Sequence, residues 1–189
     1  MASRIAAAEP AIARSVSPGF SQDGGTKEGP ARWYSSLGRT RSIAARRPER
    51  FVTRRITRAA AAIALGLQDE LTLGALGAVR DWSFAGDIVR GAWLMLQQPH
   101  ADDYVLASGV PHTVAELAHA AFACVELEAE RYVRVDPDLV RPEERTAMVG
   151  DPGKARERLG WEPTVDFEAL VERMVRADLH SLEAVAGRS

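Results

Sequence analysis

RDWSFAGDIVRGAWLMLQQPHADDYVLASGVPHTVAELAHAAFA, from Arg80 to Ala123, decides the fold, because it reads as helix, strand, helix with separate start and stop signals. Ala85, Ile88, Val89, Ala92 and Leu96 recur at helical spacing and predict one buried face. Gln97, Gln98 and Pro99 end that helix, since Pro disfavours helical backbone in the residue before it. Tyr104 to Ala107 is a short apolar run bounded by acids and a Gly, which predicts a strand. Thr113 followed by Glu116 is a capping box. Behind it, Val114, Leu117, Ala118, Ala121, Phe122 and Val125 form the stripe of a second helix.

Working outward, Phe51 to Leu65 predicts a helix that buries Val52, Ile56, Ala59, Ala60 and Ile63. Its arginines, Arg54, Arg55 and Arg58, fall mostly off that face. Gly66 is a suitable stop. Leu71–Leu73 and Tyr132–Val135 read as short strands. Asp151-Pro152 predicts a helix start, with a capping carboxylate and Pro at the first helical position, and that helix ends at Gly160. The last helix begins near Asp166 and turns Phe167, Leu170, Val171, Met174 and Leu179 to one side. Trp82 and Trp93 sit among apolar neighbours and read as core residues.

The chain of 189 residues holds no run approaching a membrane span and no internal repeat. Residues 1–58 carry 12 Arg and Lys against 4 acids, leaving 12 bases and 22 acids for the rest. Such a basic arm can bind an anionic partner. The weak patterning of residues 1–45 favours a solvated, poorly ordered segment, with nucleic acid not expected as a partner. Gly24, Gly25 and Gly29 do not have the spacing or flanking elements of a dinucleotide fingerprint. Cys124 lies in a helical pattern and is expected to be buried and inert. One cysteine forms no internal disulfide, which suits a reducing cytoplasm. The histidines are scattered without metal-ligand spacing.

Several motifs in order carry a resemblance to a known family. They are Val-Thr-Arg-x-Ile-Thr at Val52–Thr57, Arg-Asp-Trp-x-x-Ala-x-Asp from Arg80, and Asp-Asp-Tyr-Val-Leu-Ala-Ser-Gly from Asp102. Arg-Pro-x-Glu at Arg141–Glu144 and Gly-Asp-Pro-x-Lys-Ala with Leu-Gly-Trp-x-Pro from Gly150 to Pro163 complete the set. The chain closely resembles the GDP-mannose 4,6-dehydratase family of extended short-chain dehydrogenases, over the C-terminal part only. The resemblance implies an α/β fold: a substrate-binding portion over residues 46–182, behind a basic segment at 1–45 and ahead of a tail at 183–189. It begins abruptly at Arg46, as a shifted reading frame or altered gene start would produce.

The resemblance also implies roles. Arg47 matches a cofactor-contacting Arg, and NADP is the cofactor implied. Arg80 and Arg141 are candidates for a nucleotide diphosphate, whose oxygens suit the planar guanidinium fork. Glu144 matches an acid that accepts from ribose or base. Val52 and Arg55 complete the expected GDP-sugar contacts, with Arg55 where the family has Lys. Leu73-Gly74-Ala75 stands where the family has Leu-Gly-Asn, which removes an amide. Asp87-Ile88 stands where it has Asp-Tyr, which removes a hydroxyl. The family's chemistry requires a Gly-rich cofactor turn and a Tyr-x-x-x-Lys pair. Four residues after Tyr34, Tyr104 and Tyr132 stand Gly38, Ser108 and Asp136. The expectation is therefore a truncated dehydratase-like protein, inactive alone, that retains part of a GDP-sugar site. The alternative is an interaction protein that uses exposed apolar faces or the basic arm, associating with itself or with a full-length homologue.

Overall fold

The computed structural model describes residues 42–43, 48–140, 147 and 149–187. The readings of residues 1–41, and Arg47, Arg141 and Glu144, lie outside the described residues. In chain order come β1 (Ser42–Ile43), α1 (Val52–Ala64), β2 (Leu71–Leu73), β3 (Val79–Asp81) and β4 (Ser83–Phe84). Then follow α2 (Ala85–Leu96), β5 (Pro111–Thr113), α3 (Val114–Ala123), α4 (Ala129–Tyr132) and β6 (Val133–Val135). The last are a 3-10 turn (Pro137–Leu139), α5 (Gly153–Leu159) and α6 (Phe167–Ala186). The α/β class expected from the sequence holds.

Three two-stranded ladders form among the described residues: β1 with β4 and β2 with β6, both parallel, and β3 with β5, antiparallel. The main core lies between α1, α3 and α6. Ile56, Ala59, Ala60 and Ile63 of α1 meet Leu117, Ala121 and Phe122 of α3 and Leu170, Met174 and Val175 of α6. Burying Phe122 alone contributes about 1.5–3 kcal/mol. A second core joins Ile88 and Met95 of α2 to Tyr104, Leu106, Leu159 and Trp161. Trp161 is fully buried, and its indole N–H donates to the Asp87 carbonyl at 2.8 Å.

Local signals set the helix ends. Thr113 and Glu116 form both halves of the capping box. The Asp166 side chain caps α6 by accepting from the Ala169 amide at 2.8 Å. Gly66 and Gly160 adopt positive φ after α1 and α5. At α5 the cap position falls on Pro152, and Asp151 acts one residue earlier, accepting from the Gly153 amide at 2.8 Å.

Five expectations are corrected. Val89, Trp93 and Leu96 of α2 are exposed rather than buried. Asp87, Ile88, Gly91 and Met95 make the buried face instead. Trp82 is a core residue as expected, at 4% exposure, while Trp93 is 60% exposed. The run 104–107 is extended but joins no ladder. Cys124 is exposed, because it caps the end of α3 beyond the buried stripe. Partial desolvation and Glu172 hold its thiol above the usual range. Arg54 turns inward to the core side of α1, where its guanidinium meets Asp178 at 2.6 Å. No helix of the described residues is long and apolar enough to cross a membrane.

Asp178 is completely buried on α6. It also accepts from the Thr57 hydroxyl at 2.7 Å. Burial raises its carboxyl above the ordinary range, against the opposing pull of Thr57 and Arg54. Removing one member of such a buried pair strands the other. Asp178→Ala is therefore expected to cost about 3–5 kcal/mol at neutral pH, read as a lowered denaturant midpoint. The Glu116 carboxyl is held below its usual range, chiefly by the Thr113 amide. Its contribution is present above the unfolded pKa and is lost as pH falls through the lower folded value. The stability gap between wild type and Glu116→Gln is thus expected to shrink on acidification, and a gap that widens in pH-dependent melts contradicts this assignment.

Candidate functional site

Four segments of the chain close around a cavity of about 280 Å³. The first is the start of α1 with the residues before it, the second is β2 to β3, the third is Val114 at the start of α3, and the fourth is the end of the 3-10 turn. Val52, Arg55 and Arg80 all line this cavity, so three of the six residues singled out from the sequence come together. Arg47, Arg141 and Glu144 are outside the described residues, although Leu139, which lines the cavity, is two positions before Arg141.

Each arginine is positioned differently. Arg80 is on β3, paired opposite His112 of β5. It is 7% exposed, and its guanidinium donates to the Val79 carbonyl at 2.7 Å. Arg55 is exposed on the first turns of α1. Arg50 lies over the Phe51 ring at 5.0 Å from its centroid. Sequence reasoning missed Arg50. Its signal was local: a cation two residues ahead of an uncapped helix, on the same side as Arg55.

No side chain caps the N-terminus of α1, and its first turn carries no acid. The first-turn N–H groups and the positive end of the helix dipole favour an anion there. Three guanidiniums and no carboxylate are among the described residues lining the cavity. The apolar remainder, Leu73, Ala78, Val114 and Leu139, lowers the local dielectric and strengthens that field. Chemically the arrangement can hold a multiply charged anion with paired N–H bonds. Among the described residues that line it there is no acid–base pair for proton transfer. A larger groove of about 810 Å³ shares Arg50 and Arg55 and adds Arg58, Glu49 and Glu70. There Arg58 is paired with Glu49 at 2.8 Å.

Asp81, the residue after Arg80, builds the other side of β3. Its carboxylate accepts from the Ser108 amide at 3.0 Å, the Ser108 hydroxyl at 2.6 Å and the Gly109 amide at 2.9 Å. The Gly150 amide donates to it at 3.2 Å. The strand is thereby held to two loops. No group of three or more possible metal ligands occurs among the described residues.

The floor of the cavity depends on Gly74. A Cβ there would sit 2.6 Å from the Leu139 carbonyl oxygen. The Leu139 backbone can approach β2 only because this position has no side chain. Gly77, in the same connection, faces open space. Gly74→Ala is expected to displace the 3-10 turn, costing about 1–3 kcal/mol. Amide exchange at Leu139 and Val140 is expected to speed up at least tenfold in this variant and to stay unchanged in Gly77→Ala.

Comparison with known proteins accords with the motifs. The family profile described as GDP-mannose 4,6 dehydratase matches residues 39–174. The chain is 52% identical over 134 residues to GDP-mannose 4,6 dehydratase 2 of Arabidopsis thaliana, covering 71% of this chain and 36% of that one. It is 42% identical over 161 residues to the GDP-mannose 4,6-dehydratase of Yersinia enterocolitica, covering 71% and 43%. Among solved structures, RMD from Pseudomonas aeruginosa, complexed with NADPH, shares the fold with a TM-score of 0.65 at 20% identity. That match covers 71% of this chain and 44% of RMD. The chain thus spans less than half the length of these relatives. With long motifs in register and the profile covering most of its residues, it belongs to the GDP-mannose 4,6-dehydratase family.

Proposed function

We propose that this chain binds the nucleotide-diphosphate end of a GDP-sugar, GDP-mannose first, and does not by itself dehydrate it. The carrying observation is the convergence of Val52, Arg55 and Arg80, from two separate motifs, on one cavity, with no carboxylate among the described residues that line it. Arg80 acts as the fixed cation, because strand pairing and burial hold its stem. Arg55 and Arg50 close on the diphosphate from the mouth. The α1 amides contribute further donors at no cost in side-chain entropy. Arg141 and Glu144 follow Leu139 in the chain, and the family resemblance assigns them to the diphosphate and to the ribose or base.

NADP is the cofactor that the family implies, and RMD was solved with NADPH. The described residues do not fit it. Gly74 and Gly77 connect β2 to β3 and open no helix, so they make no pyrophosphate turn. Tyr104 is buried, and the Lys154 ammonium lies 5.1 Å over its ring while bonded to Asp102 at 2.6 Å. That contact turns the lysine to the face of the ring, away from a proton-relay geometry.

Calorimetric titration with GDP-mannose and with GDP is the test. Both are expected to bind with similar affinity, since the recognition lies at the diphosphate. Arg80→Ala and Arg55→Ala are each expected to weaken binding about 10- to 100-fold, the value of about 1.5–3 kcal/mol for a charge-assisted hydrogen bond. Binding untouched by both substitutions, or NADP-dependent turnover by the isolated chain, overturns this reading.

A further inference from the structure

We propose that Asp178 is a positioning residue for the diphosphate site. From α6, and without lining the cavity, it sets the rotation of α1 through Arg54 and Thr57, and so delivers Arg55 and the first-turn amides to the ligand. The inference rests on the GDP-sugar reading above and adds to it a residue that touches no ligand. Three observations carry it.

The first is that the buried cluster is poorly arranged for stability. Burial is the largest influence on the Asp178 carboxyl and raises it above the ordinary range. Thr53 Oγ1, Arg54 Nε and Asp178 Oδ1 are buried without a hydrogen-bond partner among the described residues. Oδ1 meets the Arg54 guanidinium at 2.6 Å as an ion pair only. Breaking such a pair by removing one partner is costly, but apolar side chains of similar volume often replace both without loss. The net stability of the fold therefore does not depend on having this pair rather than an apolar one.

The second is that apolar packing leaves the rotation of α1 weakly specified. Ala59, Ala60, Ala61 and Ala62 are all buried. Consecutive residues of a helix point about 100° apart, so these methyl groups surround the axis. Ile56 and Ile63 supply one apolar ridge, and the rest of the buried surface is small. A small turn of the helix changes such packing little. The directional contacts are those to Asp178: the Arg54 ion pair and the Thr57 hydroxyl, which donates at 2.7 Å. Hydrogen bonds weaken steeply when misaligned, so these contacts resist rotation.

The third is that the cavity is sensitive to that rotation. Val52 and Arg55, three residues apart on one face, bring α1 to it. A turn of about 20°, at the roughly 5–6 Å radius of a helix with its side chains, moves Arg55 by about 2 Å. A charge-assisted hydrogen bond does not survive that displacement. Arg54 and Arg55 are adjacent, so a turn that carries Arg54 toward water also carries Arg55 off its present position. The inward arginine thus holds the outward one in place, and Asp178 holds the inward one.

Calorimetry with GDP-mannose on the full chain is the test, because both phosphates of that ligand are diesters and keep their charge at mildly acidic pH. The double variant Arg54→Met, Asp178→Leu is expected to match or exceed the wild-type denaturant midpoint. It is expected to weaken GDP-mannose about 5- to 10-fold, since the Arg55 guanidinium remains but is no longer held in place. Met174→Ala, which opens the same core without touching the pair, is expected to lower the midpoint and leave Kd within about twofold. Asp178→Asn adds a pH profile, because it has the shape of the protonated acid and lacks the charge. At neutral pH it is expected to bind about threefold or more weakly than wild type. As pH falls through the raised Asp178 carboxyl, the wild type protonates and that gap closes. The charged groups bearing on Asp178 are Arg54 and Arg58 of α1 and Glu49 before it, and all are present in both proteins. A double variant that binds as wild type overturns the proposal, and so does Met174→Ala weakening binding as much as the double variant. Should the double variant not fold, a gap that persists on acidification overturns the proposal and a closing gap upholds it. Wild type that binds no GDP-mannose refutes the ligand reading and this inference together, whereas wild-type binding with an indifferent double variant refutes the positioning alone.

Discussion

The rotation of α1 about its own axis is the constraint on which the structure depends, and the buried Arg54–Asp178 contact fixes it. Asp178 is wholly buried on α6 and is engaged from α1 by both Arg54 and Thr57. A buried carboxylate tolerates few orientations of its partners, because each lost contact leaves charge in a poorly polarisable medium. The small residues Ala59, Ala60, Ala61 and Ala62 let the helices approach closely but hold them only loosely in register. Packing supplies the stabilisation, and the polar cluster specifies which way the helix faces. With Arg54 turned inward, the next residue, Arg55, is carried about 100° round the helix to the side where the cavity opens.

How much of the fold was legible in the sequence follows from how local each signal is. The capping box at Thr113 and Glu116, the Asp166 cap and the glycine stops involve residues within a few positions of one another, and all form. The buried face of α2 was not legible. GDIVRGAWLML is apolar nearly all round, so spacing alone offers two faces, and of the expected row Ile88 is buried while Val89 and Leu96 are exposed. Gly91 decides between them. A Cβ there would sit 2.6 Å from Leu106 and 2.8 Å from the Trp161 indole nitrogen, and that closeness is a tertiary fact. The strand at 104–107 shows the same limit. Its apolar run could be read from the chain, whereas its pairing depends on what lies beside it.

The site was legible in a different way. Nothing in periodicity or charge singles out Arg80 from the other arginines, and only the resemblance to a family did so. The structure adds that Arg80, Arg55 and Val52 share a cavity, and that Arg50 joins them. Arg50 was missed because it precedes the helix and belongs to no motif. The inward turn of Arg54 was also invisible, since its partner is 124 positions away on α6.

β3 connects these parts physically. Successive side chains of a strand point to opposite faces. Arg80 therefore enters the cavity while Asp81 points away from it, into the amides of Ser108, Gly109 and Gly150. Both are buried, and neither can turn without moving the strand. Asp81 holds the end of the open strand at 104–107, and Gly150 leads into α5, which packs on α2. The arginine-lined cavity and the loops at 108–109 and 150 thus meet opposite faces of one three-residue strand. The motif Arg-Asp-Trp places three roles in consecutive residues: a guanidinium that lines the cavity, a carboxylate for the neighbouring loops, and an indole that anchors the strand against Phe167 in the core.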